Sequence, residues 1–208
     1  MAPGDRSRPP SAEGTPRPSQ RSPVDALDLG TLRRLNWGCG PNPPAGWINS
    51  DRVRSPGVHL VCDILLGLPV PGNTFDYIVS IHALEQVAFP EVDRALAELR
   101  RVLRRGGTMR LSLPDLDRAV DAYKTGDRAY FLISDSEVST LGGKLCVQMS
   151  WYGSARLLFT YEFAEELLCR AGFADVRRCA FRQTASAHPA IVELDDRERE
   201  SLFVEAVK

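Results

Sequence analysis

Leu35-Asn36-Trp37-Gly38-Cys39-Gly40, then Trp47-Ile48-Asn49-Ser50-Asp51, then Val58-His59-Leu60-Val61-Cys62-Asp63: the fold is decided in these three runs. Each reads as a short strand closed by a glycine pair or an acid. A strand that runs into Gly-x-Gly lets backbone approach a ligand closely, because glycine carries no Cβ. The spacing is not the dinucleotide fingerprint, which needs a third glycine where the chain has Pro43. No Gly-Lys-Ser/Thr follows, so it is not a phosphate loop either. Asp51 ends the second strand, where its carboxylate can accept from both hydroxyls of a ribose. Asp63 ends the third, placed to accept from an exocyclic amine. Ligands of open α/β sheets bind at the carboxyl ends of strands, where the glycines and both acids would meet.

Outward from these runs the chain alternates strands and helices. The first strand is expected over 32–37, and a fourth over 75–80 after the turn residues Pro71-Gly72-Asn73. Val92, Leu96, Leu99, Val102 and Leu103 repeat at helical spacing, so 89–103 is expected as a helix stopped by Gly106-Gly107. A fifth strand, 109–113, ends at Pro114, and a helix follows over 117–124. Residues 126–161 have no clear period but carry Tyr130, Phe131, Trp151, Tyr152 and Phe159. A helix over 161–171, closed by Gly172, precedes two final strands, 176–182 and 201–207. The expected architecture is α/β and Rossmann-like. Its seven-stranded, mostly parallel sheet has an antiparallel edge and helices on both faces. From Gly40 to Asp51 is a step of 11 positions, so the first crossover helix should be short or absent.

The 208 residues are 43% hydrophobic, enough for one domain with a sizeable core. Residues 1–28 are rich in Pro, Arg, Ser and Gly and read as a disordered tail, with the domain over 29–208. Basic and acidic residues number 26 and 27. That balance argues against nucleic acid or an anionic membrane as partner. No apolar run is long enough to span a membrane, and the N-terminus lacks the apolar stretch of a signal peptide. Cys39, Cys62, Cys146, Cys169 and Cys179 form no CxxC pair. Neither a disulfide framework nor a metal site is indicated, and reduced thiols in a cytoplasmic protein are expected.

The runs LNWGCGPNPPAGWINSD, CDILLGLPVPGNTFDYIVSIHALEQV and LRRVLRRGGTMRLSLPDL resemble the class I S-adenosylmethionine-dependent methyltransferases. Within them they are similar to a group of small predicted bacterial methyltransferases. That group reads Gly-Cys-Gly, Gly-Trp-x-Asn-x-Asp, Phe-Asp, His-x-Leu-Glu and Pro-Asp-Leu in this order. The C-terminal ELDDRERESLFVEAVK matches as well, so the resemblance covers about 33–208. It implies S-adenosylmethionine as cofactor. Gly38, Cys39 and Gly40 would lie under its methionine part, Asp51 would hold the ribose, and Asp63 with the backbone of Ile64 would contact adenine. Ser80 and His82 would flank the methionine and the methyl. Trp37 replaces a smaller aliphatic residue, and Gln86 stands where histidine commonly follows Leu-Glu.

Methyl transfer is a displacement at a sulfonium methyl, in which the protein mainly aligns nucleophile, carbon and sulfur. A base is needed only where the nucleophile loses a proton. His82, with an ordinary pKa near 6.5, is the first catalytic candidate. Asp115 is the second, although an aspartate before a helix is also a natural N-cap. Trp151, Tyr152 and Arg156, in the irregular insert, are the expected acceptor-binding residues. His188-Pro189 reads as a turn, and Asp195 to Glu200 as a solvated connector. The absence of added domains points to a small-molecule acceptor, a sugar or a secondary metabolite, methylated on oxygen or nitrogen. A non-catalytic binder of the same fold is the alternative, supported by Trp37 and Gln86. A nicotinamide oxidoreductase is disfavoured by Pro43 and by the lack of a Tyr-x-x-x-Lys pair.

Overall fold

A computed structural model describes residues 33–208; the expected tail over 1–28 lies outside the described residues. Seven strands form one sheet in the order β3-β2-β1-β4-β5-β7-β6. They are β1 (Arg34–Trp37), β2 (Ile48–Asp51), β3 (Leu60–Val61), β4 (Phe75–Ile81), β5 (Leu103–Pro114), β6 (Ala174–Cys179) and β7 (Ser201–Val207). β1 pairs in parallel with β2 and β4, β2 with β3, and β4 with β5. β7 runs antiparallel between β5 and β6. The antiparallel pair expected at the edge is there, and its reversed strand lies one position inside.

The chain winds outward from β1 to β3, then returns to place β4 on the other side of β1. At such a reversal the connections leave in opposite directions and open a crevice above the carboxyl ends. The step from β1 to β2 contains no helix, as the short spacing implied.

Helix α1 (Phe89–Val102) buries Val92, Ala95, Leu96, Leu99 and Val102, a stripe at helical period. It packs with α4 (Tyr161–Arg170) on the sheet face formed by Leu35, Ile48, Ile78, Met109 and Leu111. α1 passes directly into β5 at Leu103. Gly106 and Gly107 therefore do not stop the helix; they form an irregularity inside β5, where the register with β4 shifts. A Cβ on Gly107 would meet Asp76 O at 2.7 Å, so backbone passes there too closely for any side chain.

The opposite sheet face carries Trp47, Tyr77 and Val79 and is covered by the 3-10 turn Pro189–Val192, through Ile191. Trp47 and Tyr77 meet edge to face at 5.5 Å, and His188 stacks on Tyr77. The irregular insert holds a helix, α3 (Leu141–Ser150), that periodicity did not reveal. Its inward positions include Lys144 and Gln148, both buried, which interrupts any apolar stripe. α3 packs on α2 (Leu116–Thr125) around a small second core of Ala119, Ala122, Tyr130, Phe131 and Met149.

Candidate active site

The turn after β1 is built by backbone. Gly38 N and Cys39 N both donate to Ser50 O, at 2.8 and 3.1 Å, which folds the loop over the end of β2. Gly38 and Gly40 have φ of +70° and +68°, a region where only glycine sits without strain. A Cβ on Gly38 would lie 2.3 Å from Cβ of Ala83, in the connection after β4. The turns after β1 and β4 therefore touch at the floor of the crevice. Gly40 N donates to Asp51 Oδ2 at 2.9 Å, and Val53 N donates to Oδ1 at 2.9 Å. Asp51 thus holds the glycine turn, and a carboxylate with about four acceptor positions retains capacity for a ligand. Asp63 accepts from Leu65 N at 2.9 Å and caps the 3-10 turn Ile64–Leu66.

Gly38, Cys39, Gly40, Asp51, Asp63 and Ile64 line a cavity of about 900 Å³, together with His82, Glu85, Trp151, Arg156, Arg182 and residues 193–197. Four of its lining residues, His82, Trp151, Arg182 and Arg197, have positive φ without being glycine. Such conformations persist only where the surroundings enforce them, and they gather at functional sites. Cys39 is pushed up to about 11 by burial and by the neighbouring Asp51 carboxylate, so its thiol stays neutral. Among the described residues no group of three or more His, Cys, Asp or Glu is arranged to hold a metal. No helix among them is long and apolar enough to cross a membrane.

Residues 36–111 match a family model described as a methyltransferase domain. This stretch is a methyltransferase domain. Solved structures share the fold of this chain. An S-adenosylmethionine-dependent methyltransferase of Thermotoga maritima is 20% identical with a TM-score of 0.53; the match covers 90% of this chain and 88% of that one. One of Mesorhizobium loti is 20% identical with a TM-score of 0.50, covering 89% of this chain and 94% of that one. Phosphoethanolamine N-methyltransferase 2 of Haemonchus contortus, in complex with S-adenosylmethionine, is 15% identical with a TM-score of 0.50. That match covers 85% of this chain but 48% of the Haemonchus chain, so it spans about half of that relative. No curated protein matches the chain by sequence.

Gly38, Cys39, Gly40, Asp51, Asp63, Ile64, His82, Trp151 and Arg156 all border the one cavity. Three other expected residues do not. Ser80 is 1% exposed within β4, and its Oγ is buried without a partner. Asp115 has no exposed surface; it caps α2 through Arg118 N at 3.1 Å and accepts from Arg178 at 3.0 Å. It has no face to offer a substrate, and the capping reading describes it. Tyr152 points away, 62% exposed, with its hydroxyl donating to Glu137. Trp37 packs into the main core beside the cavity, so its bulk is absorbed by the core. Gln86 donates to His82 O at 3.2 Å.

The surroundings of His82 run against the basicity expected of it. Burial, with the positive Arg197 second, lowers it to about 3, and Nε2 lies 2.8 Å from Ser201 Oγ. The imidazole is neutral and weakly basic there. Two features escaped the sequence reading. Glu85, quoted there only as the acid of His-x-Leu-Glu, is 5% exposed on the cavity wall. Asp195, expected in a solvated run, is 2% exposed and bonded to the buried Arg110 at 2.5 and 2.7 Å; Glu200 is 7% exposed. A local charge pattern carries no record of a distant buried arginine.

Proposed function

We propose that this cavity holds S-adenosylmethionine against the Gly38–Gly40 turn and passes its methyl to oxygen or nitrogen of a small molecule, a sugar or a secondary metabolite. The bound cofactor supplies an electrophilic methyl on a good leaving group. Bare backbone at Gly40, where a Cβ would meet nothing within 4 Å, would admit the methionine part closely, while Gly38 makes room for Ala83. Asp51, already fixed by two backbone donors, would accept from the ribose hydroxyls, and Asp63 with the backbone of Ile64 would receive the adenine edge. Trp151 and Arg156 would border the acceptor. His82 would act as a neutral wall and hydrogen-bond partner, since its basicity is too low to remove a proton efficiently near pH 7.

The observation that carries this reading is one continuous cavity of about 900 Å³, reached by the glycine turn, both strand-end acids and the aromatic insert. That volume is at the upper end of small-molecule sites, which run roughly 300–1,000 Å³. Calorimetric titration tests it. S-adenosylmethionine should bind the wild type, and Asp51→Ala should weaken binding about tenfold or more, the cost of charge-assisted hydrogen bonds. No heat with the wild type would defeat the reading. Transfer of labelled methyl to a panel of sugars, phenols and amines then identifies the acceptor class.

A further inference from the structure

Glu85 lies in the Leu84–Gln86 turn after β4, on the cavity wall and 5% exposed. Its Oε2 is buried without a hydrogen-bond partner. Its backbone carbonyl accepts from Arg156 N at 2.7 Å and Leu157 N at 3.0 Å, which ties the turn to the segment leading into α4. A buried carboxylate oxygen left unsatisfied costs free energy that the fold does not recover by itself. Such an oxygen is completed by a hydrogen or a positive charge brought into the cavity.

We propose that Glu85 is the carboxylate at the methyl-transfer position: it faces the cofactor's sulfonium and takes the proton that an O–H or N–H acceptor must lose. This rests on the cofactor placement proposed above. Ala83, two residues earlier, touches the Gly38 turn, so the connection that carries Glu85 is packed against the methionine end of that placement. His82 is neutral and engaged by Ser201, which leaves Glu85 as the better matched base. Burial pushes Glu85 up to about 7, near the optimum for a base at neutral pH. The same cavity is lined by the titratable and charged groups Cys39, Asp51, Arg52, Asp63, His82, Glu91, Arg156, Arg182, Glu193, Asp195, Asp196 and Arg197, and of these Arg197, before β7, acts on the Glu85 charge. Arg197 lowers the Glu85 value, and burial outweighs it. The step balances. The acceptor's heteroatom bonds to the methyl carbon, the carbon–sulfur bond breaks with its electron pair left on sulfur, and the acceptor's proton passes to Glu85. Water takes that proton after product leaves.

The test needs no acceptor. Calorimetry at pH 7 in buffers of different ionisation enthalpy counts protons released on binding. S-adenosylmethionine, with its sulfonium, should release up to about half a proton more than S-adenosylhomocysteine, which is uncharged at sulfur. Glu85→Gln should abolish that difference, and Glu85→Asp should retain it. Should Glu85→Gln fail to fold, the wild-type affinity ratio of the two ligands should rise about threefold or more between pH 6 and 8. Equal proton release by both ligands, a flat ratio, or an unchanged difference in Glu85→Gln would overturn the role of Glu85 while leaving cofactor binding intact. Failure of both ligands to bind would overturn the placement and the proposal with it.

Discussion

Glu85 and His82 stand three residues apart, and burial moves their proton affinities in opposite senses. Glu85 is raised from 4.5 to about 7, so the folded protein binds its proton more tightly than the unfolded chain. Its neutral form therefore favours the fold below about pH 4.5, and stability is lost as pH rises toward 7. His82 is lowered from 6.5 to about 3, so the folded state refuses a proton that the unfolded chain accepts. Stability is lost there as pH falls from 6.5 toward 3. Urea unfolding should show Glu85→Gln gaining on the order of 2 kcal/mol over wild type between pH 5 and pH 8. No change in the difference across that range would mean that Glu85 titrates normally. The two glycines of the Gly38–Gly40 turn make a second contrast. Gly38→Ala places its Cβ 2.3 Å from Ala83, whereas Gly40→Ala meets nothing within 4 Å. The first should cost about 2 kcal/mol or more, and the second about 1 kcal/mol from its left-handed backbone alone. Thermal unfolding of both variants measures this; equal losses would deny the contact between the two turns.

The segment between β6 and β7 is tied to the sheet by one buried side chain, Arg110. Arg110, fully buried in β5, donates to Asp195 and Glu205 and to the carbonyls of Gln183 and Ala180. Asp195 also accepts from Arg182 N at 2.8 Å, which returns the segment toward the cavity. Replacing the arginine leaves two buried carboxylates without their partner, a change that costs about 3–5 kcal/mol. Arg110→Met should therefore lower the urea midpoint markedly and speed amide exchange over 182–195. Normal exchange there would show that Ile191 packing alone holds the segment. α3 illustrates the opposite limit of sequence pattern. Its Thr140 cap is an ordinary helix start, bonded to Gly143 N, yet Gly142, Gly143, Lys144 and Gln148 remove the apolar period. α2 supplies the surface that α3 packs against, so this helix depends on tertiary contact.

For the whole molecule, a ligand in the proposed site between β1 and β4 would be linked to the fold. A ligand that binds only the folded state at 100 times its Kd adds about 2.7 kcal/mol. For a domain of this size that is a rise of roughly 5–10 °C in Tm. S-adenosylmethionine should produce it in a thermal scan, while NAD and NADP should not; the reverse would favour hydride chemistry. The strands, the stripe of α1, the glycine turn and the acids Asp51 and Asp63 were legible in the sequence, because each is written in neighbouring residues as period, turn chemistry or strand-end position. The same local signals could not show β7 lying between β5 and β6, α3 resting on α2, or Asp195 buried against Arg110. Nor could they show that burial lowers the proton affinity of His82 and raises that of Glu85. Those properties come from desolvation and from partners far along the chain, and they exist only once the fold has brought the groups together.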